Sequence, residues 1–530
     1  MQPRDDLWRR GSKERIWRKY CGFLDLTVEE FSDIQNRLMM DQINTVYDSK
    51  VARKFMQQKP GSVEEFRNTV PLTAYADYAE YLGEKDESAL AVKPYRWTCT
   101  SGRSGSFKWI PWTDRAADVF ADAGIAAAIL ACAGSKYEVN IKSGMRALAN
   151  LPPPPYGAGV LPQIMCERIG IFLMPPHEEN EDFAARTQRG FAMGLRYGVD
   201  LLSSLTSVLV KMGETFAESS GKMKFSLKML HPGVMQRMLL AVIKTKIEKR
   251  NILPRDLWPL KGLIAYGMDT DVYHDKVEYY WGKKPLELYG TTETSTIATQ
   301  AWNKKYMTFQ PYSCFFEFIP SEDYFKGLED SGYKPSTVLL SELQPGRSYE
   351  VVLSSFYGMP LMRYRIGDLI RVMAAEDREA GIRLPQIVFQ SRVNDIIDIN
   401  SFARLDEKTI WQAIADAGIK YEDWTARKEY EKDRPTIRIY VEIKQEIETD
   451  RLEKLLHEKL VALDPCYRDI ETMLGQRPLR VTLAPVGSFQ RYYESKQKAG
   501  ADLAHLKPPH MNAPDSVIES LMCREFKKSN

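Results

Sequence analysis

Apolar positions recur at helical spacing over Leu26 to Met56 and again over Val63 to Leu82, which predicts helices wrapping a core. Two short apolar and aromatic runs follow, Tyr95 to Cys99 and Trp109 to Trp112. They flank a polar loop, so the pattern predicts a hairpin. The alanine-rich run Ala123 to Gly134 is preceded by Asp118 and Asp122 at helical spacing, which predicts a buried helix over Asp114 to Cys132. Leu151-Pro152-Pro153-Pro154-Pro155 breaks the chain into a loop. Leu201 to Phe216 and Gly233 to Arg250 carry leucines and methionines at helical period, and both read as helices. Met229, Met235 and Met238 fill a core in the plainer reading and line a pocket in the other. Leu260 to Gly267, Val272 to Tyr280 and Pro285 to Tyr289 then alternate as strand, helix, strand, the mark of a parallel sheet. Val338 to Ser341, Ser348 to Ser355 and Asp368 to Met373 read as antiparallel strands. Beyond Asp395 the pattern changes. Helices over Asp406 to Ala415 and Thr449 to Leu463 alternate with strands over Ile437 to Ile443 and Leu479 to Pro485, as in a small α+β domain. The expectation is an α/β protein with a large domain over 1–394 and a small one over 395–530.

Length and charge narrow the classes. A chain of 530 residues is too long for one core. With 73 basic and 71 acidic residues the net charge is +2, and nothing favours a nucleic-acid partner. The seven cysteines are scattered without a CxxC pair, and the six histidines have no HxxxH spacing, which argues against a disulfide scaffold or a zinc site. No apolar run is long enough to span a bilayer and the first ten residues are polar, so a cytoplasmic protein is expected.

Five segments carry chemistry. Thr100-Ser101-Gly102-Arg103-Ser104-Gly105-Ser106-Phe107-Lys108 combines hydroxyls, bare amides and a cation, a set suited to a polyanion such as phosphate. It lacks the glycine spacing of a Walker A loop. Tyr289-Gly290-Thr291-Thr292-Glu293 closes a strand. Its ring suits a nucleobase and its carboxylate suits Mg²⁺; a helix cap is the alternative. Arg363-Tyr364-Arg365-Ile366-Gly367-Asp368 brings a carboxylate able to accept two ribose hydroxyls, or only to close its own turn. Arg392 stands at the junction near Asp395 as a ribose or phosphate ligand or an interdomain ion pair. Lys507 sits in a near-neutral tail before Pro508 and Pro509, and is a solvated lysine unless the other segments give it a role.

In this order the segments resemble the auxin-responsive acyl-acid amido synthetase family, within the adenylate-forming enzymes. The resemblance runs from roughly Glu30 to Pro509. It is most specific over Ser348 to Leu353, Arg363 to Asp368, Pro385 to Phe389 and Gly500 to Pro509. It implies a large adenylation domain with mixed sheets, a small mobile C-terminal cap, ATP and Mg²⁺, and two steps: acyl-AMP formation, then acyl transfer to an acceptor. It would place Thr100, Ser101, Gly102, Arg103, Ser104, Gly105 and Lys108 on the phosphates. Tyr289, with Gly267, Gly290, Thr291 and Thr292, would lie by the nucleotide, and Glu293 would be on Mg²⁺. Asp368 and Arg392 would be on the ribose, and Lys507 would bridge the acid and the α-phosphate. The acid is expected to be hydrophobic or aromatic and the acceptor an amino acid; coenzyme A is the alternative acceptor. A non-catalytic adenylate-binding protein is the alternative of another class, prompted by Arg103 where the family usually has threonine. His510 likewise stands where an arginine often follows the proline.

Overall fold

The fold is described from a computed structural model. It describes residues 2–100, 108–176, 178, 183–219, 231–267, 270–329, 332–392, 395–399, 403–431, 434–464, 467–468, 477–498 and 507–523. Loop residues Ser101, Gly102, Arg103, Ser104 and Gly105 lie outside that set. The chain divides into two compact units. One takes in Met1–Thr100, Phe107–Ile366 and Ile370–Phe389; the other takes in Gly367–Leu369 and the chain from Gln390 onward.

An eleven-stranded mixed sheet organises the first unit. Its parallel part runs Phe172–Met174, Arg146–Asn150, Leu201–Leu205, Gly262–Tyr266 and Leu286–Thr291. Leu286–Thr291 then turns back antiparallel onto Ser295–Gln300, and the remaining strands extend the sheet on that side, ending at Cys314–Pro320. Against the sheet packs the helix Asp114–Cys132, the span the sequence predicts. Asp114, Asp118 and Asp122 give its first half one polar stripe, and its second half, from Ala123 on, is apolar all round and buried. Thr113 starts it, its Oγ1 accepting from the Ala116 amide at 3.2 Å. The β–α–β reading holds: strand Gly262–Tyr266, helix Thr270–Trp281, strand Leu286–Thr291. The hairpin of Arg96–Thr100 and Lys108–Trp112 is also present, with Thr100 opposite Lys108.

Three expectations need correction. Leu201 to Phe216 is not one helix: Leu201–Leu205 is a central parallel strand and the helix is Thr206–Ser219. A short apolar run buried on both sides leaves strand and helix indistinguishable by period. Val338 makes one bridge to Phe318 before a short 3₁₀ turn, Leu340–Glu342. Asp368 does not start a strand but lies inside the long strand Tyr364–Ala374, where Gly367 has φ +79°.

The second unit is α+β. Tyr421–Glu431 pairs antiparallel with Arg434–Ile443, which pairs parallel with Leu479–Leu483. Ile410 and Ile414 from the helix Glu407–Asp416, and Leu452 and Leu456 from the helix Thr449–Leu463, bury against Trp424, Ile437 and Ile439 of this sheet. Gly487-Ser488-Phe489 opens the helix Ser488–Lys498. The buried Glu442 carboxylate accepts from the Gly487 and Phe489 amides at 2.6 and 3.1 Å, an acidic cap favoured by the helix dipole.

Candidate active site

Thr292, Glu293 and Thr294 form the turn where the sheet changes from parallel to antiparallel, beyond the carboxyl end of the last parallel strand. Ligands gather at that place in such sheets. The turn is tight. The pairing shifts register at Tyr289/Gly290, and Ser295 takes a left-handed φ of +59°. The Thr291 hydroxyl accepts from the Thr294 amide at 3.3 Å and lies 3.1 Å from the Thr294 hydroxyl. The helix-cap alternative for Thr291 and Thr292 is therefore excluded; these hydroxyls belong to a hairpin turn.

The hairpin Arg96–Trp112 is fastened to this turn. Trp112, fully buried, donates its Nε1–H to the Thr292 carbonyl at 2.8 Å. Glu293 is only 5% exposed, and the Tyr364 hydroxyl donates to its Oε1 at 3.5 Å. Tyr75 accepts from the Trp109 amide at 2.7 Å. Burial raises the Tyr75 phenol, the Trp109 amide opposes that rise, and the negative charge of Glu293 adds to it. Lys108 is half-buried with its ammonium 5.5 Å from the centre of the Tyr75 ring. Lys108 thus borders Tyr75, and the charge of Glu293, far off in sequence, acts on the same phenol; sequence reading did not single out Tyr75. No signal marks Tyr75 among the aromatics of its helical region.

Tyr364 is held by its neighbours. Arg363 forks onto buried Glu317 at 3.0 and 2.9 Å and donates to the Val70 carbonyl at 2.7 Å. Arg365 forks onto buried Glu350 at 3.0 and 2.6 Å. Arg363 precedes the strand with a left-handed φ of +45°, and Arg365 lies within it. The arginines are thus structural anchors.

The other sequence-predicted residues are placed as follows. Tyr289 is buried against Phe389, with ring centroids 5.4 Å apart. Gly290 is exposed at the bulge, and Gly267 follows the strand Gly262–Tyr266 with φ +136°. Thr100 ends its strand opposite Lys108. In the second unit, Arg392 Nε lies 3.6 Å from Asp368 Oδ1, an exposed guanidinium beside a buried carboxylate. Lys507 is exposed, and its charge acts on Asp423. Among the described residues no cluster of three or more acidic, histidine or cysteine side chains could cage a metal. A lone buried carboxylate fits Mg²⁺ in the mode where one or two carboxylates are completed by substrate phosphates and water. No helix among the described residues is long and apolar enough to cross a membrane.

Residues 21–148 match the GH3 family N-terminal domain and residues 307–402 the GH3 family central domain. The chain is 25% identical over 296 residues to a jasmonoyl–L-amino acid synthetase of Oryza sativa subsp. japonica, covering 52% of this chain and 49% of that protein. It is 26% identical over 297 residues to a 4-substituted benzoates–glutamate ligase of Arabidopsis thaliana, covering 50% and 48%. The chain spans about half the length of these curated relatives. Among solved structures it resembles the AtGH3.15 acyl acid amido synthetase in complex with 2,4-DB, with TM-score 0.69, 17% identity, and 98% and 97% of the two chains covered. It also resembles a 2-hydroxyisobutyryl-CoA ligase in the postadenylation state, with TM-score 0.58, 15% identity, and 87% of each chain covered. These likenesses establish the fold.

Proposed function

We propose that this chain, a member of the GH3 family by its N-terminal and central domains, is an ATP-dependent acyl-adenylate-forming ligase that joins a hydrophobic or aromatic carboxylic acid to an amino acid. The observation that carries the reading is the Thr292–Thr294 turn at the sheet's parallel-to-antiparallel switch, which bears buried Glu293 and is fastened by Trp112 to the hairpin that carries Lys108. Relatives named for jasmonate, indole-3-acetate and 4-substituted benzoates support an apolar acid.

The chemistry sets what the residues must do. A carboxylate oxygen of the acid attacks the α-phosphate, the bond to the β-phosphate breaks, and pyrophosphate leaves. The amine then attacks the acyl carbonyl, AMP leaves with the bonding electrons, and the amine loses a proton. The first step brings two anions together, so fixed cations lower its barrier. Lys108 is one cation this reading assigns to the step, and Lys507 is the other. Mg²⁺, when bound, neutralises phosphate charge; Glu293 would hold it. Asp368 accepts the ribose hydroxyls and Arg392 steadies that carboxylate.

The test incubates the protein with ATP, Mg²⁺, a panel of indole-3-acetic acid, jasmonic acid and a 4-substituted benzoate, and either mixed amino acids or coenzyme A. Acid-dependent pyrophosphate and an amide product are expected. Product only with the thiol would replace the acceptor assignment, and no acid-dependent pyrophosphate would remove the proposal.

A further inference from the structure

His510 stands three residues after Lys507 and is only a tenth exposed. Its Nδ1 lies 2.6 Å from Glu407 Oε1 and its Nε2 lies 2.8 Å from Asp423 Oδ1. With a carboxylate at each ring nitrogen, both nitrogens act as donors, which only the imidazolium can do. The ring stacks on Trp424 at 4.5 Å and 6°, and Trp411 meets it edge-on at 4.8 Å. Burial opposes the charge, but Asp423 and Glu407 outweigh it and raise the histidine to about 9. Burial likewise opposes ionisation of Asp423, yet the charge of His510 and its bond bring that carboxyl below its usual range.

The same segment is stitched to the second unit's sheet. The Ala426 amide donates to the His510 carbonyl at 2.6 Å, the Asn512 amide donates to the Ala426 carbonyl at 2.7 Å, and the Thr425 hydroxyl donates to the Pro509 carbonyl at 2.6 Å. The groups facing His510 are therefore Glu407 on a helix start, Asp423 and Trp424 on a strand, Trp411 on that helix, and Lys507 on its own segment. Two carboxylates and one imidazolium sum to a charge of −1, and Lys507 is the next cation acting on Asp423.

We propose that His510 is a positioning residue: bridging Glu407 and Asp423, it clamps the segment carrying Lys507 so that the lysine is presented from a fixed base. The clamp stands on its own geometry; its bearing on catalysis rests on the role assigned to Lys507 above. The clamp holds while the imidazole keeps its proton and loosens as pH rises through about 9. Arginine can serve both carboxylates at any working pH; glutamine cannot carry the charge.

Two measurements on the full-length protein decide it. The first is hydrogen exchange of the peptide spanning 507–513, corrected for intrinsic rate, from pH 6 to 10. Protection is expected in the wild type below pH 9 with loss above it, early loss in His510→Gln, and protection through pH 10 in His510→Arg. Wild-type-like protection in His510→Gln, or wild-type protection that does not change to pH 10, overturns the clamp. The second is pyrophosphate release with the acid panel. His510→Gln is expected to lose roughly a hundredfold in kcat with little change in KM for ATP, as for a misplaced catalytic group, and His510→Arg to recover it. Equal activity of His510→Gln and wild type in this assay would cut the link to Lys507. If the wild type releases no pyrophosphate with any acid, the functional reading fails, while hydrogen exchange still decides the clamp.

Discussion

Glu293 and His510 are both charged groups in dry surroundings, and each survives there because something of opposite polarity is close. For Glu293 one such group is the Tyr364 hydroxyl, and the reading adds Mg²⁺ with its phosphates. Glu293→Gln keeps the shape and removes the charge. It is expected to abolish Mg²⁺-dependent pyrophosphate release while the melting temperature stays within a few degrees; near-normal release at saturating Mg²⁺ would refute the assignment. Trp112→Phe removes the hydrogen bond to the Thr292 carbonyl and shrinks a fully buried ring, which together should cost about 2–3 kcal/mol in urea unfolding. At this scale the Tyr-Gly-Thr-Thr-Glu run was readable because a chemically varied turn follows an apolar strand. Tyr75 was not, because its importance comes from Lys108, Trp109 and Glu293, all distant in sequence. The ion pairs of Arg363 and Arg365 could not be read locally either, since their partners Glu317 and Glu350 come from other strands.

The strand Tyr364–Ala374 shows how an element fixes a site. Arg363→Met would strand a buried glutamate. Glu317 retains Arg67 at 3.2 Å and the Thr337 hydroxyl at 2.6 Å, so the loss should sit near the low end of the range for breaking a buried pair, about 3 kcal/mol by denaturant titration. Gly367 adopts a left-handed conformation just before Asp368. Gly367→Ala forces a side chain into that region at about 1–2 kcal/mol and should raise the KM for ATP more than it lowers kcat. Helix Asp114–Cys132 was legible to the residue because its alanine run and Thr113 cap both mark it. Strand Leu201–Leu205 was not, because it is only five residues long and continuous with an apolar helix. Tyr421–Glu431 was missed for another reason: Arg427, Glu429, Arg438 and Glu431 form a charged cross-strand network, which hides its alternation behind polar residues.

Across the molecule, each unit has its own core, and pH should act on them differently. The His510 pair raises the histidine, so its stabilising contribution is complete below the unfolded value of about 6.5 and is lost as pH rises through about 9. Urea unfolding of the second unit followed at Trp411 and Trp424 should therefore weaken across that window, and His510→Gln should flatten the dependence. The compact units divide at Gln390, and Gly367–Leu369 falls with the second unit, which no local pattern in the chain marks. The central claim is that an organic acid is activated on ATP before any acceptor enters. It is tested most directly by pyrophosphate release from ATP and Mg²⁺ with and without indole-3-acetic acid, jasmonic acid and a 4-substituted benzoate, acceptor omitted. The account predicts release that requires one of these acids and Glu293; release indifferent to acid, or none with any of them, would contradict it.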